Sequence, residues 1–337
     1  MKRILVFITL LIIVGVGSSC KKVLFHEEPS KDPQHVFQAL WEDFQKHYAV
    51  FEERGVNWEE LYSQYRPKVT AGTSEEELYG TITEMLSKLN DAHVNLTTPN
   101  RPVFNANRIL NKKIEDSLFN LSVIKENYLK NKFTEGGAPV YVYGLIADII
   151  YVHFGSINAD FSILSRKLQS YSEAKGLIVD LRHNPGGDFT YSFPELGPLT
   201  NQKALVFSSR TKNGPGKNDF TPWYEWYIEP KGTYFSKKVV LLTDRYTVSA
   251  AERTALAFKA MPGVTLIGEP TSGALSTMIG RELANGWYYT LSTQQVKAFN
   301  GAFYEGKGVP PDIVVKNTLQ EISAGKDRVL ETALQRF

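Results

Sequence analysis

Apolar residues in the first third of the chain recur at helical spacing. From residue 31 onward they return every three or four positions, and a Thr-Ser-Glu-Glu run at 73–76 is typical of a helix start. The apolar positions are Val36, Phe37, Leu40, Trp41, Phe44, Tyr48, Phe51, Leu61, Tyr62, Tyr65, Leu78, Ile82, Met85, Leu86 and Leu89. The pattern predicts a small N-terminal helical domain over residues 31–97.

From residue 140 the pattern changes to short apolar runs separated by turns and helical segments. The predicted strands are Val140–Tyr143, Ile146–Phe154, Leu177–Leu181, Val239–Leu242, Thr265–Gly268 and Tyr288–Ser292. A last helix is expected over 326–337, with Val329, Leu330, Ala333 and Leu334 on its buried face. Alternating strands and helices predict a layered α/β domain over residues 140–337. Residues 98–139 follow neither pattern and are expected to form a linker or cap.

The N-terminus has the pattern of a targeting segment. Lys2-Arg3 precede an apolar stretch from Ile4 to Val16, which is short for a membrane span, and small residues then precede Cys20. This predicts a lipoprotein signal over residues 1–19, lipid attachment to Cys20 and a tether over 20–30. Because Lys21-Lys22 follow the cysteine where an aspartate often marks inner-membrane retention, we expect an outer-membrane anchor in the cell envelope.

Composition narrows the function classes. The 337 residues are 42% hydrophobic and 22% charged with a net charge of +2, as in an ordinary globular protein. No basic stripe or nucleic-acid motif is present, so a nucleic-acid partner is not expected. Cys20 is the only cysteine, which excludes an intramolecular disulfide. Metal-ligand spacings such as His-Glu-x-x-His are absent from the sequence, so no metal or other cofactor is expected.

Ser249 is the strongest candidate for chemistry. The segment 244–252 follows the apolar run 239–242 and opens into an Ala-rich stretch, which predicts strand, turn and helix. Free N–H groups and the helix dipole at such a turn can stabilise an oxyanion. The alternative is that Ser249 is only a helix N-cap. Glu252, three residues later, could complete a capping box with it.

Three further glycine-containing segments each follow or precede a predicted strand. They are Gly176–Gly187, which ends in Pro-Gly-Gly, Ile267–Ser276, and Glu305–Val315. Paired glycines let the backbone approach a ligand and leave N–H groups free to contact it. Each segment alone is a weak signal, whereas their order and spacing together are specific.

Together these segments resemble the C-terminal-processing (tail-specific) proteases and the tricorn core protease, a family that also includes interphotoreceptor retinoid-binding proteins. The resemblance runs from about Phe37 to the C-terminus, and Asp91-Ala92-His93 matches the Asp-x-His segment of many members. It implies a crotonase-like or ClpP-like spiral peptidase domain. Many members insert a PDZ domain after the helical part, but residues 98–139 are too few for one, so none is expected.

The resemblance also implies how the serine is activated. One branch of the family places a lysine in the glycine turn, where this chain has Ala274, and no lysine lies between Lys259 and Lys297. The other branch uses a histidine and a late glutamate, whose positions match His93 and Glu305. The implied triad is therefore Ser249, His93 and Glu305.

The residue types fit acyl-transfer chemistry. A histidine can remove the serine proton and return it to the leaving amine, and a carboxylate stabilises the imidazolium. The backbone N–H groups of Ala250 and of the Gly186-Gly187 turn are the expected oxyanion hole. Without a Gly-x-Ser-x-Gly elbow, an α/β-hydrolase is disfavoured.

Other side chains have alternative readings. His183 adjoins the glycine turn and competes with His93, whereas His47 is expected on a surface helix. Asp180 and Arg182 are expected to form a structural ion pair. The aromatic segment 221–227, centred on Trp223 and Tyr224, could wall a substrate cleft or simply pack on the domain surface.

The sequence leaves three functional classes. The leading one is a metal-independent serine endopeptidase acting on peptides or unfolded protein segments outside the cytoplasm. A catalytically silent binding module is the second, because retinoid-binding relatives share the scaffold. An acyl-thioester enzyme of the crotonase type is the third, and the secretion signal disfavours it. The sequence does not fix the oligomeric state.

Overall fold

The computed structural model describes residues 30–337 and shows a mixed α/β fold. The predicted signal and Cys20 lie outside these residues. The α-helices are Pro33–His47 (α1), Trp58–Tyr65 (α2), Glu75–Ser87 (α3), Arg108–Lys112 (α4), Leu121–Val123 (α5), Ile163–Ser170 (α6), Ala250–Ala260 (α7), Leu319–Ser323 (α8) and Arg328–Leu334 (α9). Short 3-10 or π turns are Arg66–Lys68, Asp116–Leu118, Ile124–Tyr128, Ala159–Ser162, Phe189–Tyr191 and Phe193–Leu199. No helix in the described part is both long and apolar enough to span a membrane.

The first three helices form where the apolar spacing predicts them. Asp32 caps α1 by accepting from the Gln34 N–H at 2.9 Å, and Pro33 occupies the first turn, where no N–H is needed. Ser74 and Glu77 form the capping box at the start of α3. The apolar faces of α1 and α3 are buried against each other, which accounts for the 3.6-residue period.

A seven-stranded sheet is the centre of the fold. The strands of the chain are Asn95–Thr97 (β1), Phe104–Asn105 (β2), Phe133–Gly136 (β3), Tyr141–Ile146 (β4), Ile149–Phe154 (β5), Gly176–Asp180 (β6), Ala204–Thr211 (β7), Tyr224–Ile228 (β8), Lys238–Thr243 (β9), Val264–Gly268 (β10), Met278–Glu282 (β11), Tyr288–Ser292 (β12), Gln294–Ala298 (β13) and Ile313–Val314 (β14). The sheet order is β14-β10-β9-β6-β5-β4-β3, and its strands from β14 to β5 are parallel. Strands β5, β6 and β9 are almost wholly buried, as strands covered on both faces must be.

Two smaller antiparallel sheets flank the central one. Strands β11-β12-β1-β2 form the first, and β13-β7-β8 form the second. Strand β1 pairs with β12, with Leu96 opposite Tyr289, so the core of the helical part also contains Leu283, Trp287 and Leu291. The helical domain predicted over residues 31–97 therefore shares its hydrophobic core with residues far along the chain. It does not end as a separate unit at residue 97.

Residues 98–139, expected as a linker or cap, contain β2, α4, α5 and β3. Strand β3 joins the edge of the central sheet beside β4. On the other side, Leu110 of α4 packs on a small buried cluster of Ala92, Val248 and Ala274. The segment therefore lies against the loops that carry His93 and Ser249.

The candidate residues gather at one edge of the central sheet. The loops after β6, β9 and β10 carry Gly187, Ser249 and Gly273, and all three strands are parallel. Loops at the carboxyl ends of parallel strands meet at the same edge, which is the usual place for a site in such sheets. At the C-terminus, α9 buries Val329, Leu330 and Ala333, as its apolar spacing predicts.

Candidate active site

Ser249 occupies a strained backbone position between β9 and α7. Its dihedral angles are φ 60° and ψ −121°, which match the second residue of a type II′ turn. The Ala251 N–H donates to the Val248 carbonyl at 3.1 Å and closes this turn. A side chain rarely adopts such angles, and strained residues of this kind cluster at functional sites.

The Gly186-Gly187 turn lies directly against Ser249. A Cβ at Gly186, where φ is 104°, would lie 2.7 Å from the Ser249 Cβ and 3.0 Å from the Ala250 nitrogen. At Gly187, where φ is 137°, a Cβ would lie 2.1 Å from the Ile157 carbonyl oxygen. Only glycine fits either position without displacing its neighbours.

The predicted oxyanion donors differ in availability. The Gly186 N–H donates to Asn184 Oδ1 at 2.9 Å and is therefore engaged. Within residues 30–337, neither the Gly187 N–H nor the Ala250 N–H donates a hydrogen bond. Of the three residues predicted to form the oxyanion hole, Gly187 and Ala250 therefore keep free N–H groups and Gly186 does not. Asn184 lies two residues before Gly186, and this spacing is typical of an Asx turn. The engagement of the Gly186 N–H could therefore have been predicted from the sequence.

His93 is held by its backbone. Its N–H donates to Asp91 Oδ1 at 2.9 Å, and its carbonyl accepts from Thr290 Oγ1 at 2.7 Å. The side chain is buried, and its Nδ1 has no hydrogen-bond partner among the described residues. Burial lowers the pKa of His93 to about 4 although Asp91 opposes the shift, so the imidazole is neutral at neutral pH.

Packing brings the His93 segment to the Ser249 turn. Ala92, Val248 and Ala274 form one buried apolar cluster, and each adjoins a candidate residue or the glycine turn. The loops of the implied base and nucleophile therefore touch through their immediate neighbours.

Glu305 is buried but bonded to groups other than His93. Its Oε1 accepts from Arg54 at 2.6 Å, and its Oε2 accepts from the N–H groups of Leu275 at 2.9 Å and Ser276 at 3.1 Å. No hydrogen bond joins Glu305 to His93 in the described chain. Burial raises the pKa of Glu305 to about 8, while Arg54 acts in the opposite direction.

Arg54 is a residue of the site that the sequence did not indicate. It lies in a charged turn after α1, and such a composition predicts a solvent-exposed side chain. In the structure, however, the Arg54 side chain is only 4% exposed. Besides Glu305 it approaches Asp91 Oδ1 at 3.3 Å and donates to the Gly273 carbonyl at 2.7 Å. Asp91 Oδ2 also accepts one hydrogen bond from the Tyr48 hydroxyl. A buried guanidinium therefore joins three loops of the site.

Glu252 forms the predicted capping contact and also ties a second loop to the nucleophile. Its Oε2 accepts from the Ser249 N–H at 3.0 Å and from the Ala274 N–H at 2.8 Å. Its Oε1 accepts from Thr271 Oγ1 at 2.6 Å and from the Gly273 N–H at 2.7 Å. Burial raises the pKa of Glu252, but all four partners are donors, and this geometry suits the carboxylate.

The alternative histidines have other partners. His183 lies with Nδ1 2.6 Å from Asp244 Oδ2 and Nε2 2.9 Å from the Asp116 carbonyl oxygen, so both ring nitrogens are occupied. His47 lies on α1, so the helix predicted for it is confirmed. Its Nε2 is 3.6 Å from Asp43 Oδ1. The ion pair predicted between Asp180 and Arg182 is confirmed, with a buried contact of 2.6 Å.

The aromatic segment packs mainly on its own sheet. Trp226 contacts Phe189 and Phe207, with ring centroids 4.9 Å and 5.9 Å away. Trp223 is covered by Arg210 and Lys297 at 4.7 Å and 4.6 Å from its ring centroid. Aromatic packing and cation–π interactions therefore explain the positions of Trp226 and Trp223. Across residues 30–337, no group of three or more His, Cys, Asp or Glu residues is placed to hold a metal ion.

Family comparisons assign most of the chain to known peptidase families. Residues 148–315 match the model of peptidase family S41, and residues 29–87 match the tricorn protease C1 domain. Over 140 residues the chain is 29% identical to the carboxy-terminal processing protease CtpA of Bacillus subtilis, which covers 42% of this chain and 28% of that protein. The chain belongs to the C-terminal-processing protease family of serine peptidases. It spans less than half the length of the curated relatives that it matches.

Solved structures extend the similarity over nearly the whole chain. A provisionally assigned peptidase from Parabacteroides merdae is 28% identical, with a TM-score of 0.82 over 91% of this chain and 96% of that one. Mature CPAF complexed with lactacystin is 12% identical, with a TM-score of 0.65 over 91% of this chain and 97% of that one. The second likeness concerns the fold alone.

Proposed function

We propose that this chain is a lipid-anchored serine endopeptidase of the cell envelope, with Ser249 as nucleophile, His93 as base and Glu305 as the acidic member. The observation that carries the proposal is the strained turn at Ser249 beside two free N–H groups, those of Ala250 and Gly187. Strained nucleophiles beside free backbone donors are what acyl transfer needs.

In the proposed reaction, neutral His93 takes the Ser249 proton as the serine oxygen attacks the scissile carbonyl carbon. The carbonyl oxygen gains negative charge and is stabilised by the Ala250 and Gly187 N–H groups. When the carbon–nitrogen bond breaks, His93 returns the proton to the leaving amine, and an acyl-serine remains. Water, deprotonated by His93, then hydrolyses this ester and restores Ser249.

The acidic role of Glu305 in this proposal is electrostatic. The imidazolium formed during the reaction is buried, and a buried cation needs a nearby negative charge. Glu305 and Asp91 both contact Arg54, so two carboxylates and one guanidinium leave a net negative charge beside the His93 loop when both acids are ionised.

Substrate class and location rest on separate support. Relatives named carboxy-terminal processing proteases favour peptide or protein substrates. Lys2-Arg3, the apolar stretch from Ile4 to Val16, and Cys20 after small residues favour export and lipid attachment, with the outer membrane as the expected destination. Loss of labelled-palmitate incorporation in Cys20→Ala, followed by membrane fractionation, tests this part.

The activity is tested by fluorophosphonate labelling of the protein without its signal, followed by peptide mapping. We expect label on Ser249, no label in Ser249→Ala and strongly reduced label in His93→Ala. Matched controls are Ser63→Ala and His35→Ala, which change exposed residues on α2 and α1 and should label like wild type. A peptide library then tests hydrolysis.

A catalytically silent binding module is the second candidate. It is favoured by the His93 Nδ1, which lacks a hydrogen-bond partner in the described chain, and by the engagement of Glu305 with Arg54. Absence of label and of peptide hydrolysis in a well-folded wild-type protein would support this function over the peptidase.

A further inference from the structure

Arg54 makes its shortest side-chain contact with Glu305, although 251 positions separate them in the chain. Its Nη2 reaches Glu305 Oε1, the Gly273 carbonyl and Asp91 Oδ1, and its Nη1 donates to the Asn90 carbonyl at 2.7 Å. Arg54 thus contacts the loop before His93, the glycine turn and the loop of the acidic residue.

The donors around Glu305 constrain its charge. The Arg54 guanidinium and the N–H groups of Leu275 and Ser276 can only donate hydrogen bonds to the carboxyl group. A carboxylate accepts from all three, whereas a protonated carboxyl would add an O–H that has no acceptor among these three partners. The hydrogen-bond pattern therefore fits an ionised Glu305, and Arg54 is its cationic partner.

We propose that Arg54 is a positioning residue that favours the ionised form of Glu305 and holds this carboxylate beside the His93 loop. This inference rests on the proposed function. Without the guanidinium, Glu305 and Asp91 would be two buried carboxylates with no shared counter-charge, and proton uptake by one of them is the least costly response. A neutral Glu305 would no longer stabilise the imidazolium.

Other charged groups around Glu305 set the direction of the effect. Asp91 and Glu252 of α7 disfavour its ionisation, and burial does so most strongly, which together raise the pKa of Glu305 to about 8. Arg54 lowers it, and Arg253 of α7 lies within electrostatic range as a second cation. Tyr48 and His93, both neutral at pH 7, face Asp91.

The test is the pH dependence of the fluorophosphonate labelling rate, measured from about pH 5 to about pH 10. Because ionised Glu305 is required, we expect the wild-type rate to rise with pH near the pKa of Glu305. In Arg54→Gln the midpoint should move up by about one to three pH units, as expected when an opposite charge is removed. At pH 8, near the wild-type midpoint, this corresponds to a loss of about fivefold for a shift of one pH unit and about 500-fold for a shift of three pH units.

Arg54→Lys and Asp91→Asn show whether Arg54 acts on the charge of Glu305 or only holds the loops of the site together. Arg54→Lys keeps the cation but loses contacts, so its plateau rate should fall while its midpoint stays near that of wild type. Asp91→Asn removes a negative charge near Glu305, so its midpoint should move down by about one pH unit. Glu305→Gln should abolish the rising limb. Circular dichroism and thermal melting of each variant report folding.

The outcomes are distinct. Opposite shifts in Arg54→Gln and Asp91→Asn support the proposal, and if Arg54→Gln does not fold, Arg54→Lys and Asp91→Asn decide it by their midpoints. A labelled wild type whose midpoint is the same in folded Arg54→Gln, or unmoved in Asp91→Asn, would overturn the role of Arg54 while leaving the peptidase intact. A wild type without label on Ser249 at any pH would overturn both.

Discussion

The imidazole of His183 is held against the carboxylate of Asp244, with Nδ1 2.6 Å from Oδ2. On the other side of the ring, Nε2 lies 2.9 Å from the Asp116 carbonyl oxygen, which can only accept a hydrogen bond. Two acceptors require two N–H donors, so the geometry fits the imidazolium. This contact fastens the segment of residues 98–139 to the loop that leads from β9 to Ser249.

His183 should therefore make the stability of the fold depend on pH. Hydrogen bonding to Asp244 raises the pKa of His183 above its ordinary value against the opposing effect of burial. When folding raises the pKa of a histidine, its contribution to the free energy of unfolding is fully present below the pKa of the unfolded chain, about 6.5. This contribution is lost as the pH rises through the pKa of the folded protein. We expect wild type to lose about 1–3 kcal/mol of its advantage over His183→Asn across this range.

The measurement is the free energy of unfolding in denaturant at about pH 6 and about pH 9 for both proteins. Asparagine suits the comparison because it tolerates the left-handed backbone of residue 183, where φ is 55°. Taking the difference between the two proteins cancels other titrating groups, Glu305 among them. An advantage of wild type that is equal at both pH values would contradict an imidazolium at this position.

The glycine turn offers a test of the oxyanion hole. In Gly187→Ala the new Cβ would lie 2.1 Å from the Ile157 carbonyl oxygen, so the turn must move and its free N–H moves with it. Losing one oxyanion donor typically costs about 100- to 1000-fold in rate. We expect a loss of this size in peptide hydrolysis or labelling.

Gly263→Ala provides the matched control for this prediction. Gly263 also has positive φ, at 82°, but nothing lies within 4 Å of a Cβ there, and it is remote from the Ser249 turn in the loop before β10. It should keep the wild-type rate despite a similar backbone cost. Equal losses in both variants would attribute the effect to backbone strain alone.

Local patterns account for what the sequence could predict. The predicted strands correspond to β4, β5, β6, β9, β10 and β12, because short β-branched runs bounded by turns are a local signal. One predicted strand over residues 146–154 is divided in the structure, since Ala147, at φ 51°, turns the chain between β4 and β5. The sequence around Ser249 likewise carries a local pattern, an apolar strand followed by a polar turn and an Ala-rich helix.

Contacts between distant segments could not be predicted in the same way. The pairing of Leu96 with Tyr289 joins the helical part to β12, and no pattern in either segment names its partner. The burial of Arg54 against Glu305 is also set by the assembled fold, because the turn around Arg54 has an ordinary charged composition. The resemblance implied Glu305, but its bonding to Arg54 rather than to His93 depends on such contacts.

Glu252 should contribute to stability through its four donors. In Glu252→Gln the side-chain NH₂ group would face an N–H or hydroxyl donor that now binds carboxylate, which leaves buried donors unsatisfied. We expect a loss of about 2–4 kcal/mol in the free energy of unfolding, because a buried unsatisfied group costs about 1–3 kcal/mol and more if charged. Denaturant unfolding of the two proteins measures it.

Glu77→Gln is the control for that change. Glu77 forms the same capping box with Ser74, but at an exposed helix start, where glutamine serves as well as glutamate. It should leave the unfolding midpoint unchanged. If both substitutions have the same small effect, Glu252 acts only as a helix cap.

Backbone strain at Ser249 predicts that glycine stabilises this position more than alanine. Residue 249 has φ 60° and ψ −121°, angles that glycine adopts without cost and that a Cβ disfavours by about 1–3 kcal/mol. Greater freedom of glycine in the unfolded chain offsets about 0.4–1 kcal/mol of this gain. We therefore expect Ser249→Gly to exceed Ser249→Ala by about 1 kcal/mol in the free energy of unfolding, with both inactive.

The comparison has an internal control of opposite sign. Ser63 lies within helix α2, where alanine is favoured over glycine by about 1 kcal/mol, so Ser63→Ala should be the more stable member of its pair. Denaturant unfolding of the four variants measures both differences under one set of conditions. If alanine proves equal to or better than glycine at residue 249, the serine is held there without strain, and its position must be explained by the turn's hydrogen bonds alone.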